Sequence, residues 1–356
     1  MIQHDPDEID SLPLICMFMV AILHLLCRVS REHSNFVLVA LRSLLDKALG
    51  SAHPVNQWYL QKTLDAVSRD VRTVLTQFNV APVIVSYASC PKCCALYPYS
   101  DLSNNASYPE QCNYQESSGS NPCAARLRKT CFINGQGYHL PIRPYLYQDL
   151  AQWVARLISR PGLETLLERP LHSVIMPRRD IYDDIWDAQV IHSFVGPDSK
   201  PFFQYQESEL RLLFSLSYDN FNPYHNKAAG KKVSVGAIFM VCLNLPPMER
   251  YKFENIYLAV ITPGPKAPSI TQLNHYFCPL MDQLDVFFKQ GYFLTQTPKH
   301  SNGRNVRVAM IPVVADLHAA RQAAAFGSSN STFCCSFCGL LLQDIEEVDL
   351  KKWPPI

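Results

Sequence analysis

The stretch Arg211–Asn226, RLLFSLSYDNFNPYHN, runs apolar for several residues, stops at Asp219, and breaks into Asn, Pro and His. The apolar run predicts a strand. The acid at its end has two readings. Asp219 opens the turn DNFNP, where a short carboxylate bonds its own backbone. Alternatively, it is a metal-binding carboxylate presented at a strand end.

Working outward, two further β-rich runs follow, KVSVGAIFMVCLNL (232–245) and NIYLAVITPG (255–264), each bounded by turn residues. SITQLNHYFCPLMDQLDVFFKQG (269–291) predicts a helix interrupted or begun near Pro279. A fourth strand, VRVAMIPVVAD (306–316), ends on Asp316 and leads into LHAARQAAAFG, a helix with a glycine stop. Three strands, a helix, a strand and a helix define an α/β order. Its first three strands form an antiparallel meander, and the helix carries the chain to a further strand. If the first and fourth strands are neighbours, Asp219 and Asp316 come side by side. Two adjacent carboxylates repel, which favours a divalent cation or an unusual proton between them, and hard oxygen ligands suit Mg²⁺ or Mn²⁺. Asp316 alone also reads as a helix N-cap.

Upstream, residues 1–80 are expected to be a helical region. Ser30 is a candidate N-cap, Gly50 a candidate stop, and Leu60, Leu64, Val67, Val71, Val74 and Leu75 recur at helical spacing. Leu12–Cys27 is strongly apolar, but its 16 residues fall short of the ~20 of a spanning helix and include His24, so a buried core helix is expected rather than a membrane anchor. APVIVSYASC (81–90) is a short β run. The Ser-, Asn-, Tyr- and Pro-rich residues 99–122 are loop, and Tyr147–Arg169 returns to helix with a break at Arg160-Pro161-Gly162. The four acids of MPRRDIYDDIWDAQV (176–190) read as a solvated connector.

The 356-residue chain is 48% hydrophobic, enough to bury real cores, and its net charge of +1 excludes an overall basic surface, leaving local patches such as Arg126–Lys129. Its 26 prolines against 13 glycines indicate stiff connections. The acidic start MIQHDPDEID does not resemble a secretory signal, so the 13 cysteines read first as metal ligands or buried apolar residues rather than a disulfide framework. Cys90 and Cys93, followed by Cys112 and Cys123, give C-x2-C-x18-C-x10-C, the pattern of a one-zinc knuckle with a looser second pair. Cys94 and Cys131 are substitutes, and reduced thiols are the alternative. Cys335 and Cys338 form a second C-x2-C without a nearby partner pair. It either takes ligands from afar, such as His318, or is a redox pair lacking the usual βα setting.

These motifs resemble fungal CACTA-type (En/Spm-type) DNA transposases. The similarity lies in SYASCPKCCALYP (86–98), YPEQCNYQESSGSNPCAARL (108–127), the long stretch 218–269 that contains NLPPMERYKFENIYLAVITPGPKAP, VVADLHAARQAAAFGSSNSTFCCSFCGL (313–340) and DIEEVDLKKWPP (344–355). The resemblance implies a ribonuclease-H-like catalytic core with a triad of acids. Asp219 is then the first, Asp316 the second, and Cys335 and Cys338 the C-x2-C that follows it. It implies two metal ions, cut-and-paste transposition at DNA element ends, an oligomer, a nuclear location and no membrane. The expected organisation is a helical region over 1–80, a Cys-rich zinc-knuckle-like segment over 81–135, a helical and loop connector over 136–208, and a partial catalytic domain over 209–356. The third acid has no match in this sequence: Glu346 and Glu347 fall too early and in the wrong motif. The expectation is therefore a truncated catalytic domain, inactive alone. The competing expectation is a non-catalytic, zinc-stabilised module that binds DNA or protein through the Cys segment and the basic Arg126–Lys129.

Overall fold

In the computed structural model, residues 11–51, 57–99, 108–133, 135–173, 182–224, 233–316, 320–321, 326–327, 330–335 and 338–346 are described. The chain divides into two compact units, Met1–Pro82 and Val83–Ile356.

The first unit is helical, as its periodicity predicts, with α1 (Ser11–Leu25), α2 (Arg31–Ser51), α3 (Gln57–Ala66) and α4 (Val71–Gln77). Its core is Met17, Val20 and Ala21 of α1 against Leu38 of α2 and Val71 and Val74 of α4. Ser30 caps α2 by accepting the His33 N–H at 3.2 Å. Gly50 does not stop the helix, which runs through it to Ser51. Asp70 caps α4 by accepting the Arg72 N–H at 2.9 Å, and Arg31 of α2 holds the same carboxylate at 2.6 Å. Among the described residues no helix is long and apolar enough to cross a membrane.

The second unit is mixed α/β. Its N-terminal part contains β1 (Ile84–Ser89), β2 (Leu96–Pro98), a hairpin of β3 (Arg128–Ile133) and β4 (Gln136–Pro141), and β5 (Pro144–Gln148). β1 pairs antiparallel with both β2 and β5. Helices α5 (Leu150–Ser159) and α6 (Leu163–Ser173) follow, broken at Arg160-Pro161-Gly162 as the sequence indicates. The acidic segment after them is more ordered than a solvated connector. Asp184 and Asp187 close a reciprocal capping box around one 3-10 turn, Trp186 is buried, and Asp184 takes both guanidinium nitrogens of Arg250 at 2.6 and 2.7 Å. Residues 176–181 of that segment lie outside those described. α7 (Gln189–Ser193) completes this part.

The five-stranded sheet dominates the rest. It consists of β6 (Glu209–Phe221), β7 (Val235–Cys242), β8 (Ile256–Thr262), β9 (Tyr292–Leu294) and β10 (Arg304–Val313), with α8 (Pro247–Arg250) before β8 and α9 (Ile270–Lys289) between β8 and β9. The spatial order is β8-β7-β6-β10-β9. β6, β7 and β8 are the expected antiparallel meander, and β10 lies parallel to β6 on its other side. A parallel pair needs a crossover, and α9 supplies it. β6 is buried at every residue from Glu209 to Tyr218, because both of its faces are covered. On one face Trp153 of α5 meets Phe214 and Phe277 of α9 meets Tyr218, with ring centres 6.2 and 6.0 Å apart. On the other, the Arg211 guanidinium lies over the Phe202 ring and donates to the Phe202 carbonyl at 2.6 Å.

α9 is neither begun nor interrupted at Pro279. It starts at a Ser269–Gln272 capping box and runs twenty residues through the proline. An internal proline costs roughly 3 kcal/mol. Tyr276, Phe277, Leu280, Leu284 and Phe287 bury one face of this helix on both sides of it, and that packing is the larger effect.

Candidate functional site

Asp219 does not open a turn. It stays in the ladder, opposite Ala237 of β7, and β6 continues to Phe221. What changes at Asp219 is burial: Tyr218 is 1% exposed, whereas Asp219 is exposed. Alternation along the strand points Asp219 to the face opposite Tyr218 and α9. Glycine at position 236 makes this end of the sheet possible. A Cβ there would lie 2.7 Å from the Tyr218 ring and 2.9 Å from both Asn220 Oδ1 and Thr262 Oγ1. Tyr218 then donates to Asn220 at 2.9 Å, and Thr262 Oγ1 accepts the Gly236 N–H at 2.8 Å.

Asp316 lies three residues past the end of β10, exposed, and its carbonyl accepts the Ala320 N–H at 2.8 Å. The relation between the two acids is set by one irregularity. Met310 is opposite Phe214, but Val313 is opposite Leu216, so β10 has one extra residue at Ile311–Pro312. Proline has no N–H to give a ladder and is tolerated at such a bulge. The Val314 N–H continues the new register by donating to the Leu216 carbonyl at 2.8 Å. Asp316 and Asp219 each lie three residues beyond that last pair, Asp219 still within β6 and Asp316 past the end of β10. Without the bulge the same count would set Asp316 against Asn220, and a one-residue slip exchanges the two faces of a sheet.

The second candidate centre is the Cys90, Cys93, Cys112, Cys123 quartet. All four sulfur atoms lie within 4.8 Å of one another, with Cys90–Cys123 at 3.7 Å and Cys93–Cys112 at 3.5 Å. Neither is a bonded distance, which is about 2.05 Å. Both match the spacing of thiolates around one tetrahedral ion with ~2.3 Å bonds. The turn is built for this. The N–H groups of Lys92 and Cys93 point to Cys90 Sγ at 3.4 and 3.5 Å, and Tyr97 Oη is 3.3 Å from Cys112 Sγ. Burial pushes the Cys93 thiol well above its ordinary range. Cys123 is also subject to burial, but the Ala125 N–H and the neighbouring thiols outweigh it and lower its value. Four thiols arranged in this way fit a metal ion. Cys94 and Cys131 are not in the quartet. Cys94 turns away with φ 66° and meets Arg143 at 3.6 Å, while Cys131 sits in β3.

The Leu340 N–H lowers the Cys338 thiol, but the neighbouring Cys335 outweighs it and pushes it up. Among the described residues Cys335 and Cys338 gather no third ligand; His318 lies outside those residues.

One polar cluster was not anticipated from the sequence. Glu164 and Glu168, one turn apart on α6, are both buried with Arg304 of β10. Arg304 Nη1 donates to Glu164 at 3.0 Å and also to Glu168, Thr297 donates to Glu164 at 2.9 Å, and Lys299 donates through Nζ to Glu168. His300 Nε2 lies 3.9 Å from each carboxylate. Two cations already balance two anions, so this is an ion-pair cluster and not a place for a divalent ion. Burial alone would raise the Glu168 carboxyl, but Lys299 and Arg304 hold it below the ordinary range.

The second unit therefore combines a mixed sheet, an acid near the end of one strand and another just past the end of its parallel neighbour, and a four-cysteine cluster that could hold a metal ion. Residues 196–353 match the family model described as transposase family tnp2. No curated protein matches the chain. The matched segment contains the whole five-stranded sheet, both acids and the Cys335–Cys338 pair, and it supports a transposase family for this part of the chain.

Proposed function

We propose that the chain is a transposase-derived protein of the CACTA type, as in fungal elements, built on a ribonuclease-H-like core and related to cut-and-paste transposition. In this reading Asp219 and Asp316 hold Mg²⁺ or Mn²⁺ against DNA at element ends, Cys90, Cys93, Cys112 and Cys123 hold a structural Zn²⁺, Cys335 and Cys338 belong to an incomplete second zinc site, and the protein acts in the nucleus. The observation that carries the reading is the parallel β6–β10 pairing inside the segment similar to the tnp2 family, with Asp219 in β6 and Asp316 three residues past the end of β10, both at the same end of the sheet. Carboxylates so placed bind metal ions that activate an attacking oxygen and stabilise a leaving one at a phosphodiester. The strand order supports the core assignment: three antiparallel strands, then a helix, a short edge strand, and a fifth strand parallel to the first.

No residue of this sequence matches the family's third acid. The polypeptide alone is therefore expected to bind duplex DNA more tightly when Mn²⁺ is present, without nicking a supercoiled plasmid. Asp219→Asn and Asp316→Asn are each expected to remove the Mn²⁺-dependent increase in affinity. An increase that survives both substitutions contradicts the reading. Nicking that Asp219→Asn abolishes would instead mean that a complete catalytic set lies within these residues. DNA binding that is zinc-dependent but indifferent to Mn²⁺ would favour a non-catalytic module built on the cysteine cluster.

A further inference from the structure

A cavity of ≈ 400 Å³ lies between the cysteine turn and the loop that follows β8. Lys92, Arg143 and Lys266 line it together with Gln272 and Tyr276 of α9, and no acidic residue is among its lining. Three cations facing one concavity without a carboxylate is an arrangement that self-repulsion disfavours unless an anion enters. Its walls are fixed. Arg143 Nη2 donates to the Gly264 carbonyl at 2.8 Å and Nη1 to the Cys90 carbonyl at 3.4 Å, so one guanidinium joins the cysteine turn to the loop. Gln272 Nε2 donates to the Lys92 carbonyl at 2.7 Å, which seats that turn on the start of α9. Stacking of Tyr145 on Tyr276, centres 5.2 Å apart, and the Ser89–Tyr276 hydroxyl contact at 3.1 Å hold the same junction. The twenty-residue α9 begins at Ser269 beside the cavity, and its positive end adds to the field.

The position of the cavity is informative. Thr262, the last residue of β8, is opposite Gly236, and Gly236 is opposite Asn220, the neighbour of Asp219. The loop 263–268 therefore leaves the sheet at the end where the two acids stand.

We propose that this cavity binds a phosphodiester of the DNA strand, with Lys92 and Lys266 as point charges and Arg143 as a cation fixed by its bonds to two backbone carbonyls. This assignment rests on the DNA-directed function proposed above and gives the cysteine cluster a role: the metal-holding turn presents Lys92 to DNA.

The test is titration of the full chain with a 20-base-pair duplex at several salt concentrations, comparing Lys92→Gln/Lys266→Gln with Lys200→Gln/Lys289→Gln as an equal charge change elsewhere. The first variant is expected to bind about tenfold more weakly at ~0.1 M salt, with the salt slope reduced by about 1 and with zinc content and melting temperature unchanged. The second is expected to behave as wild type. Wild-type affinity and slope in the first variant, or equal losses in both, overturn the cavity assignment while leaving the proposed function standing. A wild-type chain that binds no DNA overturns both.

Discussion

Arg304→Met is expected to destabilise the second unit by about 3–5 kcal/mol in chemical denaturation, the cost of leaving buried charge unpaired. Arg304 is 1% exposed and holds both Glu164 and Glu168, which are equally buried. Lys299 can neutralise one carboxylate from the partly exposed side, but the other is left without its cation. The expectation reverses if the whole cluster is removed. Glu164→Leu/Glu168→Leu/Arg304→Met is expected to recover most of the loss, because apolar side chains of similar volume dispense with the desolvation of three charges. A cost below ~1 kcal/mol for Arg304→Met would show that the cluster is hydrated and weak. The cluster also sets a pH dependence. The folded-state value of Glu168 is depressed, so its contribution is present above the ordinary carboxylate range and is lost as pH falls through the lower, folded value. A unit whose stability is flat from neutral pH down through the carboxylate range would contradict this.

The second large effect concerns the cysteine quartet. Chelation, or Cys112→Ser, is expected to unfold the segment around residues 90–127 while the main core persists. Among the described residues, the hydrophobic cluster of that segment is Ala88, Cys90, Ala95, Tyr108, Cys112 and Leu127, and two of the six are the proposed ligands themselves. So small a core cannot offset the backbone entropy of ordering the segment, whereas a structural zinc ion contributes on the order of 10 kcal/mol. Elemental analysis of the purified protein is expected to give one zinc from this quartet, and hydrogen exchange at 108–127 is expected to lose protection on chelation. A metal-free protein that keeps that protection would sink the zinc assignment.

The strands of the main sheet were legible because β6, β7, β8 and β10 are rich in apolar and β-branched residues and bounded by turn signals. The cysteine quartet was legible from its spacing. The β3–β4 hairpin was missed although Asn134-Gly135 is a two-residue turn signal; Gly135 has φ 78°, and Ile133 pairs with Gln136 across it. The path through Pro279 was unreadable for a different reason: local propensity argued for a break, and long-range burial of α9 overrode it. The bulge at Ile311–Pro312 had only Pro312 as a signal, yet it shifts the register of the end of β10 against β6. The ion cluster had no local signal beyond Glu164 and Glu168 at helical spacing, since their partners lie more than 130 residues away.

The pairing of Asp219 and Asp316 around a divalent ion is the claim from which the rest follows, and Mn²⁺ titration of the full chain, read by electron paramagnetic resonance, tests it directly. The wild-type chain is expected to bind Mn²⁺, with Asp219→Asn and Asp316→Asn each lowering the affinity about tenfold or more at unchanged zinc content. Equal Mn²⁺ affinity in wild type and both variants would contradict a shared site.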